Sequence, residues 1–451
     1  MAETVEKRDG FKSRWGFILA CIGSAVGMGN IWRFPILVSA YGGLTFLLPY
    51  FVFVILIGAS GVIEEFALGR AAGAGPVGAF GMCMEMKGKR KLGEALGYLP
   101  IIGSLGLSIG YTVVFAWICK YTKLAITGEL FGFGQDMSVI GGAFGMTAPE
   151  AYADFNIGGA ATIWIVIAAV IAFAIMSAGI AGGIEKANKV MMPVLFALFV
   201  ILGIYVATLP GASNGYKYIL SFNGAITGKT LIYAFGQAFF SLSVAGNGSV
   251  IYGSYLPKDE DIPVSARNVA IFDTLAALLA AFVIIPAMAA AEAELSTGGP
   301  GLMFVYLVNV INGMALGRLI GMIFFVAVLF AGLSSIINLY EAPVALLQER
   351  FGMKRIPAVA AMLAFGAIVA IVIQPITSPW MDVVSIYICP LGALLAAIMF
   401  FWVGGKKFAE DSVNLGASKP IGKWFYPLGK YVYCACALIA LIAGAALGGI
   451  G

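Results

Sequence analysis

Gly23-Ser24-Ala25-Val26-Gly27-Met28-Gly29-Asn30, followed by Arg33-Phe34-Pro35, lies inside a stretch apolar enough to cross a bilayer. A second run, Ser241-Leu242-Ser243-Val244-Ala245-Gly246-Asn247-Gly248-Ser249, interrupts another such stretch far along the chain. A helix in lipid satisfies its own backbone, so glycine clusters with an amide side chain at membrane depth weaken it and free polar groups. Freed carbonyls can ligate a hard cation such as sodium, and freed N–H groups at half-helix N-termini can hold a carboxylate. One glycine cluster alone also reads as a close packing surface. Two clusters in corresponding positions point to the paired discontinuous helices of an inverted-repeat transporter.

The surrounding composition agrees. The chain has 451 residues, 61% of them hydrophobic and 11% charged, with a mean hydropathy of +0.97. A chain this apolar requires lipid as its solvent. A spanning helix needs about 20 mostly apolar residues. Such stretches lie near 14–38, 42–69, 94–124, 158–178, 189–209, 229–256, 263–291, 317–348, 356–374, 380–403 and 425–449. An all-α integral membrane protein of about eleven helices is therefore expected. Its expected division is an N-terminal cytoplasmic segment 1–13, a first five-helix repeat 14–209, an inverted second repeat 229–403, and a linker with an eleventh helix, 404–451.

Most of the 27 basic residues fall on the N-terminal side of the membrane, including Lys7, Arg8, Lys87 to Lys91, Lys258, Arg267, Lys354, Arg355 and Lys419. The 126–157 connection has neither Lys nor Arg but carries Glu129, Asp136, Glu150 and Asp154. The positive-inside rule then makes the N-terminus cytoplasmic and the C-terminus extracytoplasmic, in a multi-pass cell-membrane protein embedded in the lipid bilayer.

Other classes lose support. No histidine is present, which removes Ser/His and Cys/His nucleophile pairs, imidazole proton relays and His-containing metal sites. The net charge of +4 and the short Lys87–Lys91 loop make no nucleic-acid surface, so no nucleic-acid partner is expected. Gly73-Ala74-Gly75-Pro76-Val77-Gly78 matches a dinucleotide fingerprint but has no strand before it. Asn247-Gly248-Ser249 is a glycosylation sequon inside a span. Of the six cysteines, five lie in apolar segments and Cys83 in an expected cytoplasmic loop, so no disulfide framework is expected.

Gly23 to Pro35, Gly236-Gln237-Ala238-Phe239-Phe240-Ser241-Leu242-Ser243 and Ala331-Gly332-Leu333-Ser334-Ser335 resemble the first, sixth and eighth helices of the neurotransmitter:sodium symporter family. The likeness is to its bacterial amino-acid transporters, which have the leucine-transporter fold. Arg14-Trp15-Gly16 and Glu65-Phe66-Ala67-Leu68-Gly69-Arg70 fit the same pattern. The resemblance implies a sodium-coupled symporter that imports a neutral amino acid by alternating access.

It also implies sites. One sodium would lie among the carbonyls of Ala25 and Ser241, the side chains of Asn30, Ser241 and Asp273, and the substrate carboxylate. A second would be held by the carbonyls of Gly23, Val26 and Ala331 and the hydroxyls of Ser334 and Ser335. Both shells are all oxygen, as sodium requires. Backbone N–H groups near Met28 and Gly29 and the Tyr111 hydroxyl would take the carboxylate. Carbonyls near Phe240 and Ser243 would take the ammonium. Leu107, Phe240, Gly246, Ser335 and Leu339 would shape the side-chain space. Read without the family, Tyr111 is an ordinary core tyrosine and Ser334-Ser335 a helix-packing pair.

Departures from the family pattern carry information. Amine-transporting members have aspartate where this chain has Gly27, so a carboxylate-bearing substrate is implied. Asp273 replaces the usual asparagine, and Ala277 stands where chloride-dependent members have serine. Asp273 is thus expected to supply the compensating negative charge, with no chloride required. Ala245-Gly246-Asn247 differs from the bacterial pattern and leaves the pocket's size open. Arg33 with Asp382 is the implied outer gate. Arg8 with Glu349, near Tyr255 and Glu341, is the inner one, with Phe11 replacing a tryptophan plug. Rival readings are a channel, which needs a continuous polar pore, a membrane-embedded enzyme, which needs a catalytic constellation, and a non-transporting amino-acid sensor on the same fold.

Overall fold

The computed structural model describes residues 10–133, 138–145, 159–244, 248–292 and 301–448. Arg8 and Ala245-Gly246-Asn247 lie outside them. Among the described residues the chain is helical, with a single isolated antiparallel bridge between Gly43 and Phe222. Seven helices are long and apolar enough to cross a membrane, and an eighth span forms if two bent halves count as one.

Those halves are α1 (Arg14–Ala25) and α2 (Gly29–Ala40), bent by 55° at the first glycine cluster. Ser13 caps α1, its hydroxyl accepting the Gly16 N–H at 3.0 Å. At the far end Val26 has left the helical region, with φ −75° and ψ 91°. The next elements are α3 (Leu44–Ala72), α4 (Pro76–Glu85), α5 (Arg90–Thr127), α6 (Thr162–Met176), α7 (Ile180–Ala207) and α8 (Ala212–Ile219). The sixth predicted span is split into α9 (Gly228–Ser241) and α10 (Gly248–Gly253). Then come α11 (Ile262–Ala290), α12 (Leu302–Asn312), α13 (Gly317–Phe351), α14 (Arg355–Ile373), α15 (residues 377–404), α16 (Gly405–Asn414) and α17 (Phe425–Leu447).

Two sequence expectations change. Cys83 is not in a loop; it is buried on α4, a short helix that packs on α5. The apolar helix α12 was not anticipated, because it is too short to register as a span.

Small residues explain how the helices approach so closely. A Cβ on Gly69 of α3 would lie 2.0 Å from the Val250 carbonyl oxygen of α10, and one on Gly253 of α10 would lie 2.5 Å from the Phe66 carbonyl oxygen. Each helix thus lends a glycine so that the other's backbone can pass. Long α5 and α13 form the centre, joined by the Ser104 hydroxyl to the Leu339 carbonyl at 2.8 Å and by the Thr112–Tyr340 hydroxyl pair at 3.1 Å. Facing outward are Val52, Ile55, Ile163, Val170, Ile204, Ile368 and Val372, an apolar belt suited to lipid.

Candidate functional site

The two breaks meet. Ser243, just past α9, takes a positive φ of 57°, a conformation that costs a non-glycine residue free energy. Its hydroxyl donates to the Ser24 carbonyl at 2.7 Å, and the Ser24 hydroxyl reaches Ser243 Oγ at 3.4 Å. Ser24 was not among the expected site residues. In sequence it is one small hydroxyl among glycines, and only the tertiary contact gives it a role.

Asn30, Ser241 and Asp273 converge beside this link, all three buried. The Asn30 amide donates to Asp273 Oδ1 at 2.7 Å and to Ser241 Oγ at 3.1 Å. The Ser241 hydroxyl lies 2.9 and 2.8 Å from the two Asp273 oxygens. The Gly27 N–H donates to Asn30 Oδ1 at 3.2 Å. Three helices, α2, α9 and α11, thus bring an amide, a hydroxyl and a carboxylate to one point. A carboxylate at membrane depth is expensive unless neighbours or a cation stabilise it, and every polar neighbour here is a neutral group.

The second expected oxygen set also assembles. Ser334 Oγ is 2.9 Å from the Ala331 carbonyl and 3.5 Å from the Val26 carbonyl. Ser335 Oγ is 2.9 Å from the Ala331 carbonyl. Val26 contributes because its backbone has left the helix, and Ala331 because two hydroxyls crowd its carbonyl. Gly23 packs against α7, where a Cβ would come 2.0 Å from Asn188 Oδ1.

A pocket of about 40 Å³ lies between the breaks and the central helices. Ala25, Gly29, Leu107, Tyr111, Phe240, Ser241, Ser243, Ser335 and Leu339 all line it, as expected. Met28 is buried in the apolar core and absent from the lining. Gly248 and Asn338 line it without having been expected. Asn338 accepts a short hydrogen bond from the buried Tyr252 hydroxyl, while its Nδ2 finds no partner among the described residues. In sequence it reads as one polar residue within a long apolar helix.

Arg33 of the expected outer gate stacks over Phe240, its guanidinium carbon 4.8 Å from the ring centroid. Arg33 and Asp382 are within electrostatic reach of one another but form no ion pair within 4.0 Å. Inside, Glu349 accepts the Gly75 N–H at 3.0 and 3.1 Å. The Tyr255 hydroxyl donates to Glu341 at 2.6 Å, and Arg355 grips the same carboxylate with two bonds of 2.6 and 2.7 Å. Arg355 had been counted only as a cytoplasmic charge. Phe11 packs edge-on to Phe17 at 5.3 Å and against Tyr252 at 5.7 Å.

The pattern of the sodium:neurotransmitter symporter family matches residues 8–133 and 145–446. An uncharacterized sodium-dependent transporter of Methanocaldococcus jannaschii is 30% identical over 93% of this chain and 87% of its own length. The uncharacterized sodium-dependent transporter YhdH of Bacillus subtilis is 32% identical over 76% of this chain and 73% of its own. The crystal structure of MhsT in complex with L-phenylalanine superposes with a TM-score of 0.82, at 31% identity, covering 97% of this chain and all of that one. These relatives are transporters rather than enzymes, and the fold is that of the leucine transporter. The chain, a multi-pass sodium-dependent membrane transporter, belongs to the sodium:neurotransmitter symporter family.

Proposed function

We propose that this protein imports a neutral amino acid with two sodium ions, by alternating access and without chloride. The observation that carries the reading is the cluster of Asn30, Ser241 and Asp273 at the wall of a pocket framed by two broken helices. In this reading one sodium replaces the Asn30 amide hydrogens against Asp273 and Ser241, after the amide turns its oxygen inward. The second takes the Val26 and Ala331 carbonyls with the Ser334 and Ser335 hydroxyls, and the Gly23 carbonyl completes it. The substrate carboxylate joins the first ion, backbone N–H groups of Met28 and Gly29, and Tyr111. The ammonium meets carbonyls near Phe240 and Ser243.

Gly27 supports a carboxylate-bearing substrate. A Cβ there would lie 2.5 Å from Ser335 Oγ, so an acidic side chain that could pair an amine would have to displace that hydroxyl. The structure of MhsT bound to L-phenylalanine and a Mus musculus relative named a sodium-dependent neutral amino acid transporter support the same class. Two sodium ions and a zwitterion bring two positive charges into a medium that tolerates none uncompensated. Asp273 offsets one, and Ala277 offers no hydroxyl for an anion. The first, second, sixth and seventh spans would rock against the rest of the helices, with Arg33, Asp382, Arg8, Glu349 and Tyr255 closing the two ends. The N-terminus would be cytoplasmic and the C-terminus extracytoplasmic.

Uptake into proteoliposomes tests this. Sodium-driven accumulation should persist when gluconate replaces chloride and stop when potassium replaces sodium. Loss of uptake in gluconate would overturn the chloride-independent reading. Single-channel conductance would favour a pore, and sodium-dependent binding without flux would favour a sensor.

A further inference from the structure

A second cavity lies apart from the central one. A groove of about 790 Å³ lies on the lipid-facing side, between α3, α11 and the 419–424 segment that precedes α17. Its walls are apolar for most of its length, formed by Val54, Ile55, Ile271 and Leu275. Ile55, Ile271 and Leu275 are exposed, so the groove opens onto the belt that meets acyl chains. The two basic residues in its lining, Arg267 and Lys419, belong to the end of α11 and the segment that lie on the basic-rich side. Neither has a carboxylate within ion-pair distance among the described residues.

The charged end is built rather than loose. Ser418 N–H donates to Asp261 Oδ2 at 2.9 Å, and Ile421 N–H donates to Asn414 Oδ1 at 2.7 Å. Asp261 also caps α11 through the Val264 N–H at 3.2 Å. Asp261 is therefore committed to backbone groups, and its bond to Ser418 ties the residue before Lys419 to the helix that carries Arg267. Two uncompensated cations at one end of an apolar slot open to lipid match an amphiphile with an anionic head and long apolar tails. A soluble anion would fill only the charged end, and a zwitterionic lipid would bring a second positive charge to it.

We propose that this groove binds an anionic phospholipid, with the phosphate-bearing head between Arg267 and Lys419 and an acyl chain along Ile55, Ile271 and Leu275. Basic pockets between helices on the cytoplasmic side recognise anionic head groups, and each basic side chain near the surface strengthens binding by about fivefold.

Native mass spectrometry of the purified full-length protein tests it, titrating phosphatidylglycerol against phosphatidylcholine of the same chains. The wild type should retain phosphatidylglycerol about 30-fold more tightly. Arg267→Gln with Lys419→Gln should bring the two lipids to parity. Leu275→Trp, which fills the slot, should weaken both. Lys406→Gln with Lys407→Gln removes equal charge elsewhere and should leave the preference intact. Equal retention of both lipids by the wild type would overturn the proposal. So would a loss of preference as large in the 406/407 variant as in the 267/419 variant, which would mean unspecific surface charge.

Discussion

Asp273→Asn is the most informative single change, because it keeps the shape of the side chain and removes only charge. Asp273 is fully buried and receives the Asn30 amide at 2.7 Å and the Ser241 hydroxyl at 2.8 and 2.9 Å. An ion ligated at this cluster would sit about 4 Å from the centre of the carboxylate charge. Two unit charges at about 4 Å, with an effective dielectric constant of about 20, attract by about 4 kcal/mol. The asparagine carbonyl retains a dipole toward the ion and recovers part of this. A net loss of about 2 kcal/mol is expected, which is about a 30-fold rise in the sodium concentration that half-saturates substrate binding. The fold should survive, since neutral hydrogen bonds of about 1 kcal/mol each replace the charge-assisted ones. The assay is radioligand binding of the transported amino acid against sodium, on detergent-purified protein, with the melting temperature as a folding check. A sodium midpoint within threefold of wild type, in a normally folded variant, would refute the assignment of Asp273 as an ion ligand.

Three further outcomes are expected. Tyr111→Phe removes one hydrogen bond to a charged carboxylate, worth about 1.5–3 kcal/mol, so the amino-acid Kd should rise at least 10-fold at saturating sodium. An unchanged Kd would place the carboxylate elsewhere. Gly27→Ala forces a methyl group to within 2.5 Å of Ser335 Oγ, displacing a hydroxyl of the second ion set. Sodium affinity should fall about 10-fold or more while amino-acid selectivity holds, as titration of binding against sodium would reveal. Arg355→Met strips the buried Glu341 of its bidentate partner, and breaking such a pair costs about 3–5 kcal/mol. Its melting temperature should fall clearly, and a fall equal to that of an exposed lysine substitution would show that Tyr255 alone holds Glu341.

Much of this site was legible in the amino-acid order because broken membrane helices leave a local signature. The glycine runs around Gly27 and Gly246 announce where the backbone must open, Ser334-Ser335 follow from the family pattern, and Asp273 stands out as a departure at a position that pattern marks. What was hidden depends on tertiary contact. Ser24 and Ser243 are single hydroxyls whose bond across the two breaks has no trace in local sequence. Asn338 could not be told from a helix-packing amide until its helix was set beside the pocket. Arg355 and Glu341 lie on opposite sides of a helix junction, so only the turn at Gly352 reveals their pairing. Helix α12 escaped because hydropathy recognises length, and a short apolar helix packed inside the protein has too little of it.

In the proposed function, unpaired backbone at the two breaks is completed by sodium and a carboxylate-bearing guest. Thermal melting of the purified protein with each of the twenty amino acids, in sodium and in potassium, tests it most directly. A ligand at 100 times its Kd should add about 2.7 kcal/mol of stability, so at least one neutral amino acid should raise the melting temperature in sodium and leave it unmoved in potassium. Equal shifts in the two salts, or no shift with any amino acid, would contradict the account.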